Sequence, residues 1–253
     1  MRVAVLGMGE AGRLYAADLA AAGHSVVAFD PADVPFPDGV ERAESASRAA
    51  AEAGLVVSLT GARFAEDVAR QVALAGGEGC FADFNSAGVE TKRAVAAALP
   101  GKEIADVAVL APVPRAGART PLVVSGPGAA KVAEVFGTAG ASVEVLDAEI
   151  GAAAGRKLLR SAFMKGLAAT VIESVSAAEV AGSERWLRDQ IAGELGSAEL
   201  VDRLIDGSRQ HAARRVHEMQ DCRSYLDELG ADTDICDATT SWLQRLVGGA
   251  AAG

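Results

Sequence analysis

The stretch that most constrains this chain is residues 1–30, MRVAVLGMGEAGRLYAADLAAAGHSVVAFD. Val3, Val5 and Leu6 form a short apolar run that reads as a buried parallel strand. Gly7, Gly9 and Gly12 follow it with G-x-G-x-x-G spacing. That spacing has a mechanism: the first glycine permits the tight strand-to-helix turn, the second leaves room for a pyrophosphate against the backbone, and the third lets the helix lie close on the strand. The phosphates would rest on N–H groups at the helix N-terminus, so Met8, Glu10 and Ala11 join the three glycines as expected cofactor contacts. Residues 13–22 read as a helix, Gly23 as its C-cap, and SVVAF at 25–29 as a second strand ending at Asp30. An acid at that strand end is placed to hydrogen-bond the adenosine ribose hydroxyls. Pro31 and Ala32 follow, with no Arg or Lys nearby to receive a 2′-phosphate. NAD is therefore favoured, and NADP is the alternative if a loop elsewhere supplies the charge.

The next residues repeat an alternating pattern. A Pro-rich loop at 34–39 leads into an expected helix at 40–53, then apolar LVVSL at 55–59 and a helix over 65–74. CFADF at 80–84, a helix through Val95, a strand over 104–110, PLVVSGPG, a helix over 129–139 and SVEVL at 142–146 complete it. Strands alternating with helices predict an α/β domain with a doubly wound, Rossmann-type parallel sheet covered on both faces. Ligands on such sheets bind beyond the carboxyl ends of the strands, which selects Thr60, Asn85 and Ser86 as further cofactor contacts. Small polar residues there serve equally well as ordinary N-caps. The loop LAPVPRAGARTPL at 110–122 carries Arg115 and Arg119, which could hold a carboxylate or phosphate of a substrate. Solvated surface arginines fit the same residues.

Near residue 148 the α/β pattern stops and the chain becomes helical. The expected organisation is a dinucleotide-binding domain over 1–148 and a helical substrate or dimerisation domain over 149–253. Residues 150–181 contain no proline and read as one helix of roughly 45 Å. Lys157, Arg160, Ser161, Met164 and Lys165 recur along it at i, i+3, i+4, i+7 and i+8, a mainly polar stripe opposite Leu158, Leu159, Ala162, Phe163 and Leu167. Apolar residues on several sides of the helix predict that the stripe faces a cleft. Further helices are expected at about 184–194, 197–208, 211–229 and 234–246, with a frayed GGAAAG tail. His211, Arg214, Arg215, Glu218 and Cys222 share one helical face, which also fits a merely solvated surface.

Composition narrows the partners. The net charge of −10 argues against nucleic acid or an anionic membrane surface, since both demand a basic footprint, whereas a local basic pocket can still take an anionic small molecule. Cys80, Cys222 and Cys236 form no C-x-x-C pair, which suggests neither a metal site nor a disulfide and fits a reducing compartment. The chain enters its first strand at once and holds no membrane-length apolar run, so a cytoplasmic protein is expected.

Together, the glycine turn, the strand-end acid and a lysine-bearing helix after the sheet resemble the β-hydroxyacid dehydrogenase superfamily, the 6-phosphogluconate and 3-hydroxyisobutyrate dehydrogenase relatives. The resemblance runs nearly end to end. GMGEAGRLYAADLAAAGHSVVAFD is similar to the family's opening, in which a Gly-His pair precedes the second strand. GAAAGRKLLRSAFMKG can be laid on the family's catalytic segment without gaps, with Lys157 at the Lys and Ser161 at the position of the Asn four residues later. A second departure is DVAVLAP at 106–112, where the family has D-A-P-V-S-G-G, so Leu110, Ala111 and Pro112 replace its substrate-binding Ser-Gly-Gly. PVPRAGARTPL and GSRQHAARRVHEM resemble a less characterised branch with a divergent C-terminal helical domain, which implies that His211, Arg214 and Arg215 approach the substrate.

Hydride transfer between an alcohol and nicotinamide needs a group that takes the hydroxyl proton and returns it in reverse. A lysine in a partly desolvated cleft is suited to that work. The expectation is an NAD-dependent dehydrogenase or reductase acting on a small, anionic hydroxy acid or its aldehyde or keto partner. Lys157 is its general acid/base, Ser161 a hydroxyl that can still bond substrate, and Lys165 the fallback. Imine reduction on the same scaffold and a non-catalytic NAD-binding regulatory protein are the alternatives. The long apolar helix predicts a homodimer.

Overall fold

The computed structural model describes residues 1–250. The chain divides into two compact units, Met1–Lys157 and the part from Leu158 onward.

The first unit contains β1 (Arg2–Leu6), α1 (Glu10–Ala21), β2 (Ser25–Phe29), β3 (Glu41–Arg42), α2 (Ala46–Ala50), β4 (Leu55–Ser58), α3 (Ala65–Ala73), β5 (Cys80–Asp83), α4 (Val89–Ala97), β6 (Ile104–Val109), β7 (Leu122–Ser125), α5 (Ala129–Thr138) and β8 (Val143–Val145), followed by the start of α6 (Ala152–Val180). The eight strands form one sheet in the order β3-β2-β1-β4-β5-β6-β7-β8. Successive side chains of a strand point to opposite faces. Val3 and Val5 accordingly join one core with Tyr15 and Leu19 of α1 and Val132 and Phe136 of α5. Ala4 and Leu6 join another with α2, α3 and α4. Burial on both faces is why these strands read as unbroken apolar runs.

Two expectations are corrected. The sheet is not wholly parallel, because β7 runs antiparallel to β6. The connecting residues 110–121 hold only 3-10 turns at Val113–Arg115 and Gly117–Arg119. Leu110 N–H donates to Pro121 O at 3.0 Å, so the chain turns back at the same edge instead of crossing a face on a helix. The helix expected over 40–53 shrinks to α2. Glu41–Arg42 pairs with β2 as an edge strand. Ser45 then starts the helix, its Oγ accepting Arg48 N–H at 3.1 Å.

The second unit comprises α6 from Leu158 on, α7 (Glu184–Leu195), α8 (Ala198–Gln210), α9 (Ala212–Glu228) and α10 (Asp234–Ala250). Ala168, Val171, Ile172 and Val175 of α6 pack with Val201, Leu204 and Ile205 of α8. Gly196, left-handed at φ 68, closes α7, and Ser197 Oγ caps α8 by accepting Leu200 N–H. Of the expected frayed tail, 248–250 belong to α10, and 251–253 lie outside the described residues. Among the described residues no helix is long and apolar enough to cross a membrane.

Candidate cofactor and proton-transfer site

The glycine turn is held by steric and hydrogen-bond constraints that act on different residues. Gly7 has φ +95, and a Cβ there would meet Leu59 O at 2.5 Å. A Cβ on Gly12 would lie 1.9 Å from Gly7 O, so α1 rests directly on the turn. At Gly9 the same test meets no heavy atom within 4 Å. Gly9 is the N-cap of α1, and the first N–H groups of a helix, here those of Glu10, Ala11 and Gly12, lack intrahelical acceptors. The Met8 side chain is fully buried, while Gly9 and Glu10 are exposed. Asp30 at the end of β2 ties the turn down. Its Oδ2 accepts Met8 N–H at 2.7 Å and its Oδ1 accepts Ala32 N–H at 2.9 Å. A carboxylate has about four acceptor sites, so capacity remains for hydroxyl donors.

Across the neighbouring strands runs a polar row that the sequence reading missed. Ser58, Asp83, Asp106 and Ser125 are register partners in turn on β4, β5, β6 and β7, each no more than 1% exposed. Lys92 of α4, also buried, reaches Asp83 Oδ2 at 3.1 Å and Asp106 Oδ1 at 3.3 Å, and donates to Asp83 O at 2.7 Å. Asn85 Nδ2 donates to Asp83 Oδ1 at 2.6 Å and Ser58 Oγ at 3.2 Å, and its Oδ1 accepts Gly61 N–H at 2.6 Å. Asn85 thus braces the loop after β4 against the loop after β5. The far end of the row receives α6: Ser125 Oγ accepts Ala153 N–H at 3.1 Å and Asp106 Oδ2 accepts Ala154 N–H at 2.9 Å. One turn further along α6, Lys157 Nζ donates to exposed Ser86 Oγ at 2.7 Å. A signal was available in the sequence, since Asp83 and Asp106 are acids within otherwise apolar strands, as in IADVAV.

The expected site residues therefore separate into groups. Gly7, Met8, Gly9, Glu10, Ala11, Gly12 and Asp30 form one turn. Asn85, Ser86 and Lys157 are joined by the row, and Thr60 lies beside Gly7 with its Oγ1 buried and without a hydrogen-bond partner. Arg119 is elsewhere. It packs on Gly140 and shares a shallow depression with Asp18, Ala21, Ala22 and Thr138, along the half of α1 remote from the glycine turn. Arg115 is exposed. In the second unit, Lys165 is only 11% exposed at its side chain and pairs with Glu218 at 2.7 Å, which also takes Arg214 at 3.4 Å. Half-buried Arg215 donates to Ser208 Oγ, and burial, partly offset by Glu218, lowers its pKa. Burial, then Glu218, raises the pKa of Asp221. His211 precedes α9 and makes no side-chain cap bond there, and Ser161 is half-buried one turn beyond Lys157. Among the described residues no cluster of His, Cys, Asp or Glu is arranged to hold a metal ion.

A mostly parallel Rossmann sheet followed by a helical unit defines the class, and comparison with known proteins narrows it. Residues 178–246 match a family model described as a domain of unknown function, DUF1932. A search of curated proteins gives no match. Among solved structures, the conserved protein MTH1747, of unknown function and described as structurally similar to 3-hydroxyacid dehydrogenases, is 25% identical with a TM-score of 0.83, over 97% of this chain and 96% of that one. A conserved hypothetical protein from Sinorhizobium meliloti is 27% identical with a TM-score of 0.79, over 96% and 87%. Mycobacterium tuberculosis 3-hydroxyisobutyrate dehydrogenase, in a structure with L-serine, is 22% identical with a TM-score of 0.82, over 98% and 94%. The chain thus shares its fold, a Rossmann-type sheet followed by a helical unit, with a protein described as structurally similar to 3-hydroxyacid dehydrogenases and with a 3-hydroxyisobutyrate dehydrogenase.

Proposed function

We propose that the protein is a nicotinamide-dependent oxidoreductase, with NAD as cofactor, acting on a small hydroxy acid or its aldehyde or keto partner. Lys157 is its proton-transfer group. The observation that carries the reading is the bond from Lys157 Nζ to Ser86 Oγ beyond β5, braced through Asn85 to Gly61 beyond β4. Both loops lie at carboxyl ends of strands, the edge at which α/β sheets bind ligands. Lys165 is the fallback candidate, and its ammonium pairs with Glu218 at 2.7 Å.

The residues fit a dinucleotide. Open space at Gly9, free N–H groups at the start of α1, and the Asp30 carboxylate match a pyrophosphate and a ribose diol. The cofactor, when bound, supplies or accepts the hydride. NAD is preferred because the arginine on the strand beside β2, Arg42, is paired with Asp33 at 3.4 Å and stacked on Phe36 at 5.0 Å. In oxidation Lys157 Nζ takes the hydroxyl proton, and Ser86 Oγ holds the ammonium so formed. In reduction the proton returns. Ser161, one turn along α6, can orient a substrate oxygen, and we retain His211, Arg214 and Arg215 of the second unit as candidate contacts for an anionic substrate. We extend the proposal to a homodimer through the second unit, where Phe163, Val180, Trp186 and Ile235 are 64–92% exposed. Sedimentation as a monomer at micromolar concentration would remove that extension.

The test is wild type and Lys157→Ala assayed with NADH and a panel of aldehydes, keto acids and cyclic imines. Binding of NADH should persist while turnover falls by roughly two to four orders of magnitude, as loss of a general acid/base produces. Undiminished turnover overturns the assignment. Consumption of NADH only with cyclic imines selects imine reduction, and tight binding without consumption selects a regulatory role.

A further inference from the structure

We propose that Asp106 and Ser125 are positioning residues that set Lys157 against Ser86 by capping α6 from the sheet. α6 is preceded by Gly151, at φ +99, which has no side chain to accept an N–H. The two amides that an N-cap side chain normally satisfies, at the second and third helical positions, belong to Ala153 and Ala154. Here the acceptors come from strands: Ser125 Oγ and Asp106 Oδ2, both fully buried. A cap supplied in trans fixes where a helix begins and also how it is rotated against its support. Lys157 follows Ala153 by four residues, about one turn, so its direction is inherited from those two bonds.

The same row fixes the other partner. Ser86 follows Asp83 by three residues, and Asp83 is held by Asn85 N–H at 3.0 Å, by Asn85 Nδ2 and by Lys92. Lys92 bridges Asp83 to Asp106, so one buried ammonium links the strand that presents Ser86 to the strand that caps α6. Two buried carboxylates facing one ammonium leave a net negative charge, which is costly away from water. The positive end of α6, equivalent to roughly half a charge, lies at Asp106 and offsets it. That bond adds an electrostatic reason for α6 to keep this register.

The inference rests on the reading of Lys157 as the proton-transfer group, but its test needs no turnover. Competitive trace acetylation of the full chain at mildly alkaline pH, read by peptide mass spectrometry, reports each lysine's reactivity, with Lys102 and Lys131 as internal references. Ser86→Ala removes one acceptor from Lys157 and serves as the reference for what loss of that single bond does to its labelling, about two- to tenfold at most. Ser125→Ala and Asp106→Asn should raise it to a comparable extent, leaving the references unchanged. Val135→Ala, a core truncation in α5 outside the row, should lower the melting temperature without altering Lys157 labelling. If Asp106→Asn loosens the whole chain, every lysine rises together and Ser125→Ala alone decides. Unchanged Lys157 labelling in Ser125→Ala overturns the proposal whatever the NADH assay shows.

Discussion

Asp30 Oδ2 accepts the amide N–H of Met8 at 2.7 Å, across twenty-two residues of sequence. The acid expected to bind ribose is therefore also a clamp on the turn expected to bind phosphate. Asp30→Ala leaves a buried amide unsatisfied and should cost about 1–3 kcal/mol of stability. NADH affinity should fall with it, by more than tenfold, because both the ribose acceptor and the turn geometry are lost. Asp30→Asn keeps one acceptor oxygen and should fall between the two. Denaturant melts and NADH fluorescence titration measure both quantities, and equal affinities for wild type and Asp30→Ala would refute the dual role.

The glycines separate folding from binding. Gly12→Ala drives a methyl group into backbone, 1.9 Å from Gly7 O, and should destabilise by about 3 kcal/mol or more. Gly9→Ala enters open space at an ordinary φ of −64 and should leave stability within about 1 kcal/mol of wild type. It should nonetheless weaken NADH at least about tenfold, by filling the place where the pyrophosphate approaches. Calorimetry and titration of the pair distinguish the two roles.

Lys92→Met removes the ammonium between Asp83 and Asp106, whose side chains are 2% and 0% exposed. Breaking a buried ion pair from one side leaves uncompensated charge and costs about 3–5 kcal/mol. Urea unfolding should show a loss of that size, far larger than for Arg93→Met on the exposed side of the same helix.

Stability should fall at alkaline pH. Burial pushes the thiols of Cys80 and Cys222 up to about 12, and raises Cys236 and Tyr15 as well. These groups stay protonated in the folded chain but ionise near pH 8.5 (Cys) and 10 (Tyr) in the unfolded chain. Their contribution is complete below about pH 8.5 and declines as pH rises toward 12. Melting temperatures across that window should drop steadily, and a thiol reagent at neutral pH should label native protein only slowly. Rapid labelling of Cys80 would contradict its burial.

Much of this fold was legible because its signals are local. The apolar runs at 25–29, 55–59 and 80–84 are strands, and the helices from Glu184 on lie within a few residues of their expected bounds. Failures came where a distant partner decided the outcome. Glu41–Arg42 reads as helix until β2 offers it an edge, and β7 reverses because Pro121 returns to Leu110. Arg119 belongs to a loop near a strand end in sequence, yet Ala118 N–H bonds to Asp18 Oδ2 at 2.7 Å and draws that loop along α1.

By itself the sequence determined the glycine turn, because spacing, steric size and the strand–helix–strand order around it are properties of consecutive residues. It also singled out Lys157, as part of a polar stripe on an apolar helix and by the resemblance of its segment to a catalytic one. The tertiary structure alone decided what Lys157 meets. Ser58, Asp83, Asp106 and Ser125 are scattered over sixty-eight positions, and they become a row only when four strands lie in register. Burial then strengthens every interaction along that row, since no water competes for its donors and acceptors.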